Sequence, residues 1–295
     1  MIITKLQGGL GNQMFQYAIG KTLSEKNKTE LKLDLSFYNK QPKNTTLREY
    51  SLGCFNVKKN IATDKEIKKL KKYEWKNSRR HFLYNLIFAD RLIYIEEKWF
   101  DFEENYLKIK NNAYLDGYWQ SEKYFSAQGG KNIEKIIQKK FTLKKDLNNI
   151  AKGTSEKIIN SNSVSIHIRR GDYANNPDTK SYHGLCPIGY YEKAIKKITN
   201  KIKNPTFYIF SDDIEWVKKN LKTNFPMIFV EGNKDYEDLI LMSYCKHNII
   251  ANSSFSWWGA WLNKNPNKIV IAPKKWFVNE TKNTNNLIPK PWIQL

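Results

Sequence analysis

The chain has little of what would hold it together by covalent or metal chemistry. Its 295 residues include three cysteines, Cys54, Cys186 and Cys245, far apart and odd in number. No CxxC pair and no Cys/His cluster occurs, which argues against a disulfide framework and structural zinc and fits a reducing compartment. His247 has no second His or Cys nearby, so nothing points to a metal ligand. No stretch approaches the roughly 18 apolar residues of a membrane span. The run from Met1 to Leu6 reaches Gly8-Gly9 without a signal-peptide core or cleavage site. The expectation is a cytoplasmic protein, free or held by charge at the inner face of the cytoplasmic membrane. The usual phosphate fingerprints are also missing. Gly9-Leu10-Gly11 opens a GxGxxG match, but Met14 stands where the third glycine belongs. There is no GxxxxGK, so kinase or ATPase chemistry has little support.

Acidic residues are short as well: 29 Asp and Glu against 50 Lys and Arg, a formal charge of +21. Such a balance suits an anionic partner, whether nucleotide, nucleic acid or membrane surface. The excess is mostly Lys, however, dispersed along amphipathic stretches such as Lys65 to Lys76 and Lys193 to Lys203. Dispersed Lys reads as solvated helix faces. A nucleic-acid binder would cluster cations near exposed aromatics in a recognisable module, and none is present. With 40% apolar and 14% aromatic residues, a chain of this length can build one large domain or two modest ones.

What is present is an alternation of strand and helix patterns. Ile2 to Leu6 reads as a buried strand, Gln7 to Gln13 as a glycine-rich loop, and Met14 to Ser24 as a helix with Phe15, Ala18, Ile19 and Leu23 on one face. Leu31 to Leu35 is the next strand. A Pro/Asn/Thr loop after Phe37, a Lys-rich helix near Asp64 to Glu74 and an aromatic helical stretch near Phe82 to Arg91 follow. Tyr114 to Gln120 reads as a strand running into an exposed aromatic loop, and Ile133 to Phe141 as a helix. Lys144 to Asn162 is polar and weakly patterned, which puts a domain boundary near residue 150, between domains 1–150 and 151–295. Beyond it, strands at 163–168, 206–210, 227–230, 248–251 and 268–272 alternate with helices near 190–201, 215–221, 236–244 and 257–262. That order predicts an α/β fold with a parallel, doubly wound sheet.

In such sheets ligands bind outside the carboxyl ends of the strands. Four polar clusters fall there. The first is the glycine loop, with Gly9 and Gly11, followed by Asn12 and Gln13, which either cap the helix or reach a ligand. The second is His167-Ile168-Arg169-Arg170-Gly171-Asp172-Tyr173. Period two puts His167 and Arg169 on one face, with Arg170 on the other or in the turn. Forked guanidiniums suit phosphate or pyrophosphate; the bland alternative is a basic turn paired to its own Asp172. The third is Ser211-Asp212-Asp213, where the carboxylates either accept from ribose hydroxyls or a guanine edge, or cap the next helix. The fourth is Asn252-Ser253-Ser254-Phe255-Ser256, small hydroxyls at a helix start, with Phe255 stacking on a ring or filling core. Trp257, Trp258 and Trp261 have helical spacing and read as core. Asp238, beside Leu239 and Leu241 in a helix, needs a donor partner.

Together these runs resemble the inverting α-1,2-fucosyltransferases, glycosyltransferase family eleven. Gly8 to Ala18 resembles that family's N-terminal signature, His167 to Tyr173 its central HxRRxDY motif, and Ala251 to Leu262 its C-terminal motif; Phe210 to Asp213 adds a weaker match. The resemblance implies two Rossmann-like domains facing a cleft, the GT-B type, with GDP-fucose on the C-terminal domain and the acceptor on the N-terminal one. By that similarity Arg169 would contact the β-phosphate, with His167 and Arg170 beside the nucleotide. Asn12 would reach toward the scissile bond. Ser253, Ser254, Phe255 and Ser256 would hold pyrophosphate and nucleoside, and Asp212 and Asp238 would take ribose and guanine. The implied acceptor is a β-galactoside oligosaccharide or lipid-linked glycan of a surface polysaccharide. No metal, cofactor or nucleic acid is expected. Asp172 is the candidate general base, or else it orients Arg169 or Arg170. Another linkage or another nucleotide sugar on the same fold is the competing expectation.

Overall fold

A computed structural model describes residues 1–41, 46–71, 93–97, 101–130, 132–278 and 284–295. They divide into two compact units: Met1–Lys144 with Asn283–Leu287, and Lys145–Lys282 with Ile288–Leu295. The division thus lies a few residues before the sequence boundary at 150, and a short late segment returns to the first unit.

The first unit holds strands β1 (Ile2–Lys5), β2 (Leu31–Asp34), β3 (Ile93–Glu96) and β4 (Ala113–Asp116). They form one parallel sheet in the order β2-β1-β4-β3. Ile2, Ile3 and Thr4 are fully buried, as expected of a parallel strand covered on both faces. Helix α1 (Leu10–Lys26) follows, with Phe15, Ala18, Ile19 and Leu23 in the core. It starts at Leu10, four residues before the apolar periodicity begins. Gly9 is its N-cap and its carbonyl accepts from the Asn12 and Gln13 amides, so Gly11, Asn12 and Gln13 belong to the first turn, not to a loop. Helix α2 (Asp64–Lys71) matches the Lys-rich expectation as far as it is described, and α3 (Ile133–Lys140) matches the next. The aromatic stretch expected near Phe82 to Arg91 lies outside the described residues. The loop after β4 is not the exposed one expected. Trp119 is fully buried, edge-on to Tyr106 and Tyr124 with ring centres 5.0 and 5.8 Å away.

The second unit begins with α4 (Asn149–Ile159), capped by Asn148, whose Oδ1 accepts from the Ala151 amide at 2.9 Å. Only Ala151 and Ile158 of this helix are buried, which is why its pattern is faint in the sequence. Then come β5 (Ser163–Ile168), two short helices α5 (Gly171–Asn175) and α6 (Pro177–His183), and α7 (Ile188–Thr199). Next are β6 (Thr206–Ser211), α8 (Ile214–Asn220), β7 (Met227–Phe229) and α9 (Asp235–Tyr244). The unit ends with β8 (His247–Ile249), α10 (Ser254–Leu262), β9 (Val270–Ala272) and β10 (Ile293–Gln294). All six strands are parallel, in the order β10-β9-β8-β5-β6-β7. The first strand is therefore central, the next two lie on one side and the last three on the other: the Rossmann order, with its reversal between β5 and β8. Helices α5 and α6 and strand β10 are too short to leave a period in the sequence. Helix α10 starts at Ser254 rather than Trp257, which makes Ser254 to Ser256 its first turn. Trp257 and Trp258 are fully buried and Trp261 nearly so, which bears out the core reading. Among the described residues no helix is long and apolar enough to cross a membrane.

A buried amide ties this unit together. Asn248 Nδ2 donates to Ser165 Oγ at 2.7 Å and to the Met242 carbonyl at 2.8 Å, and Asn248 Oδ1 accepts from Asn263 Nδ2 at 2.8 Å. Asn248→Leu would strand three buried polar partners, so unfolding in urea, followed by the buried tryptophans, is expected to show a loss of about 3 kcal/mol or more.

Candidate functional site

The β5 end is built from a short run of charges that the backbone folds onto one another. After Ile168 the chain leaves the sheet through Arg169 and Arg170. Arg169 lies between two carboxylates: one guanidinium nitrogen is 2.6 Å from Asp172 Oδ1, the other 2.8 Å from Asp212 Oδ2. Its guanidinium carbon stands 5.5 Å from the centre of the Tyr173 ring. Asp212 comes from the end of β6, the strand paired with β5, and its Oδ1 also accepts from the Arg170 amide at 2.8 Å. Glycine at 171 permits this approach, since a Cβ there would lie 2.5 Å from Asp212 Oδ2. Arg170 turns the other way. Its Nε donates to Asp213 at 3.1 Å and its guanidinium stacks 3.7 Å above Trp216. Asp213 in turn caps α8 by accepting from the Trp216 amide at 3.2 Å.

Across the reversal, the loop after β8 is tied to the same place. Asn252 Nδ2 donates to the His183 carbonyl at 2.8 Å, Asn252 Oδ1 accepts from Cys186 Sγ at 3.4 Å, and the Tyr173 hydroxyl donates to the Asn252 carbonyl at 3.5 Å. Tyr173 stacks on His183 with ring centres 4.6 Å apart. Ser253 occupies the N-cap of α10 without a side-chain cap bond, and no acidic residue sits in the first turn. Ser256 is fully buried and its hydroxyl donates back to the Ser253 carbonyl at 3.4 Å, a local role the sequence did not reveal. Phe255 meets the ring of His167, centres 5.5 Å apart. The strand-end cluster and the α10 first turn are thus neighbours at the reversal, where ligands of such sheets bind.

His167 is only 5% exposed and its Nδ1 has no hydrogen-bond partner among the described residues. Burial pushes the imidazole down to about 3, with Asp212 pulling it up and Arg169 pushing it down. It is therefore neutral at physiological pH. Asp238, on α9, accepts from Asn233 Nδ2 at 3.0 Å, and burial raises its carboxyl to about 6. That supplies the donor the sequence called for, from the turn before α9 rather than from the arginine cluster. His247 Nδ1 accepts from the Ile269 amide at 3.0 Å, a structural bond.

In the first unit the sheet order also reverses, between β1 and β4. Gly8 there has φ +76°, and Gly9 opens α1. Asn12 Oδ1 accepts from Gln120 Nε2 at 2.9 Å, which joins the β1 and β4 ends. Gln13 does not face a ligand. It is fully buried, donates to the Gly8 and Glu49 carbonyls at 3.0 and 2.8 Å and accepts from the Ser51 amide at 2.8 Å. It pins the 49–51 segment over the helix start. Gly11 is a buried first-turn residue.

A parallel sheet in this order, with a charged cluster at its reversal, defines the protein's class as doubly wound α/β. Over its full length, residues 1–295, the sequence matches the model of Glycosyl transferase family 11, and the chain belongs to that family. It is 39% identical to the O-antigen biosynthesis glycosyltransferase WbnK of Escherichia coli, over 98% of this chain and 99% of that protein. It is 38% identical to an alpha-1,2-colitosyltransferase of Escherichia coli, over 100% and 99% of the two chains. Among solved structures, the fucosyltransferase NodZ from Bradyrhizobium superposes with a TM-score of 0.52 at 10% identity, covering 88% of this chain and 90% of that one. NodZ α-1,6-fucosyltransferase soaked with GDP-fucose gives 0.51 at 12% identity, over 88% and 91%. The fold is the α/β, two-Rossmann-unit GT-B class, as the resemblance implied.

The depressed imidazole gives a pH signature. The unfolded chain takes up a proton below the ordinary value of 6.5, and the folded state does so only near 3. Stability present at neutral pH is therefore lost as pH falls through that window, at about 1.4 kcal/mol per pH unit from this group. His167→Gln is expected to flatten the slope of unfolding free energy between pH 6 and 4; an unchanged slope would refute the assignment.

Proposed function

We propose that the protein transfers L-fucose from GDP-fucose to the 2-hydroxyl of a β-galactoside in a surface glycan, with inversion and without a metal ion. The observation that carries this reading is Arg169, held by Asp172 and Asp212 at the reversal of the second sheet. A guanidinium has five N–H donors, so two carboxylates do not exhaust it. Breaking the bond from sugar to phosphate leaves negative charge on GDP, and a pre-oriented cation stabilises that charge without reorganising. The first-turn amides of α10 add a second positive end, and Ser253 and Ser254 at that end are assigned to the phosphate oxygens. His167, kept neutral by burial, and Phe255 beside it are assigned to the nucleoside. Arg170 is held by Asp213 and Trp216, and supports the nucleotide through its turn more than through its own charge. Asp238, half-buried, is assigned to the base, and Asn12 to the reacting end of the donor. Gly9 and Gly11, at the N-cap and first turn of α1, are assigned to the donor side beside Asn12.

Asp172 accepts from Arg169 at 2.6 Å, so its first role is to orient that guanidinium. The acceptor proton can leave late if the transition state is loose and oxocarbenium-like. The full-length likeness to WbnK supports a surface-glycan acceptor made at the cytoplasmic side of the membrane. The full-length likeness to an alpha-1,2-colitosyltransferase favours one second reading, transfer of a colitosyl group by the same machinery.

The test is incubation with GDP-fucose and a panel of β-galactosides in EDTA, with GDP release and product linkage followed together and a colitosyl donor in parallel. Acceptor-dependent GDP release with fucose on the galactose 2-hydroxyl is expected, and chelation is expected to leave it intact. Loss of product in EDTA, restored by a divalent ion, would overturn the metal-free reading. Arg169→Ala is expected to lower kcat by about 10²–10³-fold, the cost of removing one charge-stabilising donor. Asp172→Asn is expected to lose about tenfold as an orienting residue, whereas a loss beyond about 10³-fold would mark it as the base.

A further inference from the structure

The loop after β4 is built around a carboxylate that none of the family motifs contains. Glu97 follows β3, and its amide donates to the Asp116 carbonyl at 2.8 Å, so it extends the ladder by one residue. Its Oε2 then accepts from two successive amides, Tyr118 at 2.6 Å and Trp119 at 2.9 Å. Two consecutive N–H groups aimed at one oxygen form a small anion nest. The turn around it is tight. A Cβ at Gly117 would lie 2.4 Å from Glu97 Cβ, and Trp119 sits at φ +57°, a left-handed conformation costly for a residue with a side chain. Gln16 Nε2 donates to the Gly117 carbonyl at 3.2 Å, which fixes the same turn from α1. The residue delivered by this turn is Gln120, whose amide bonds Asn12.

We propose that Glu97 is a positioning residue for sugar transfer: its carboxylate holds the strained 117–119 turn and so sets Gln120 against Asn12. The proposal rests on the role assigned to Asn12 above. The physical logic is that a residue with positive φ persists only where its surroundings over-determine it. Two backbone N–H bonds to one carboxyl oxygen do that here, and only a glycine at 117 lets the chain pass this close to Glu97. Burial raises the Glu97 carboxyl to about 7 against the pull of both amides, so the clamp is kept in spite of a desolvation cost. Strongly perturbed groups at the open end of a sheet are functional candidates for that reason. Removing the carboxylate lets the turn relax, which lets Gln120 and then Asn12 move by a fraction of an ångström or more. Misplacement by about 1 Å can cost about 10²-fold in rate.

The experiment compares Glu97→Ala and Glu97→Gln in the full chain by hydrogen exchange, GDP binding and transfer kinetics, alone and with Asn12→Ala. In Glu97→Ala the Tyr118 and Trp119 amides should lose protection, kcat should fall about 10–100-fold, and the GDP dissociation constant should stay within about twofold. Glu97→Gln, which keeps an acceptor oxygen, should restore most of the turnover. In an Asn12→Ala background the further effect of Glu97→Ala should shrink below about twofold, because both changes act through one pair. Unchanged amide protection in Glu97→Ala would refute the clamp. Opened amides with normal kcat, or losses that simply add, would refute the positioning role. If the wild-type chain transfers nothing from GDP-fucose, the functional reading fails, and the exchange data still decide the clamp.

Discussion

The placement of Arg169 between Asp172 and Asp212 is the constraint on which the strand ends of the second unit depend. A guanidinium free to wander would lose much of its value to a phosphate, because ordering a long side chain costs rotamer entropy at each binding event. Here the ordering is done in advance by two carboxylates, one in the first turn of α5 and one just after β6. Asp212 can reach Arg169 only because β6 runs parallel to β5 in register from Ser163 with Thr206 through Ile168 with Ser211, and because position 171 has no Cβ. Sheet register, a glycine and a salt bridge are therefore one arrangement. The same reasoning explains Arg170, which is fixed by Asp213 and Trp216 and so keeps the turn rigid beneath its neighbour.

The first unit solves a similar problem with fewer charges. Its strand-end loops are set by amides: Gln13 over the helix start, Gln16 on Gln7 and Gly117, and Gln120 on Asn12. Side-chain amides both donate and accept, so one residue can hold two backbone segments at once. Carboxylates take part as well: Asp116 accepts from Lys5 Nζ at 3.0 Å, Asp34 accepts from the Ser36 amide at 2.8 Å, and Glu97 accepts where two N–H groups converge. Both units thus place preorganised polar groups at the reversal of a parallel sheet. One reversal sets two arginines among three carboxylates; the other joins side-chain amides to the Lys5–Asp116 pair.

Much of this was legible in the sequence where the signal is local. The strands at 163–168 and 206–211 announce themselves by length and apolar content, and the polar clusters at their ends mark the site. The starts of α1 and α10 were misplaced by three or four residues for one reason: their first turns, Gly11 to Gln13 and Ser254 to Ser256, hold few of the apolar residues that reveal a helical period. Helix α4 was hidden because it buries two residues only. The difference between Asp212 and Asp213 is not readable from adjacency: Asp213 caps α8 while Asp212 reaches Arg169, a fact of strand pairing that sequence spacing does not encode. Glu97 gave no sign at all, since its partners are backbone amides 21 and 22 residues away.

Charge illustrates the difference between a global and a local signal. The whole chain carries +21, yet the β5 end sets two arginines against Asp172, Asp212 and Asp213, a local excess of one negative charge. The site is therefore not a positive patch that attracts any anion. Exposed Lys side chains act over roughly one Debye length, about 8 Å at physiological ionic strength, and are too dispersed to mark a place. Under the proposed function, what would select a pyrophosphate is geometry at hydrogen-bond range: a guanidinium held by Asp172 and Asp212 beside the amides at the start of α10. The same carboxylates would oppose an anion that met only one of those two sets of donors.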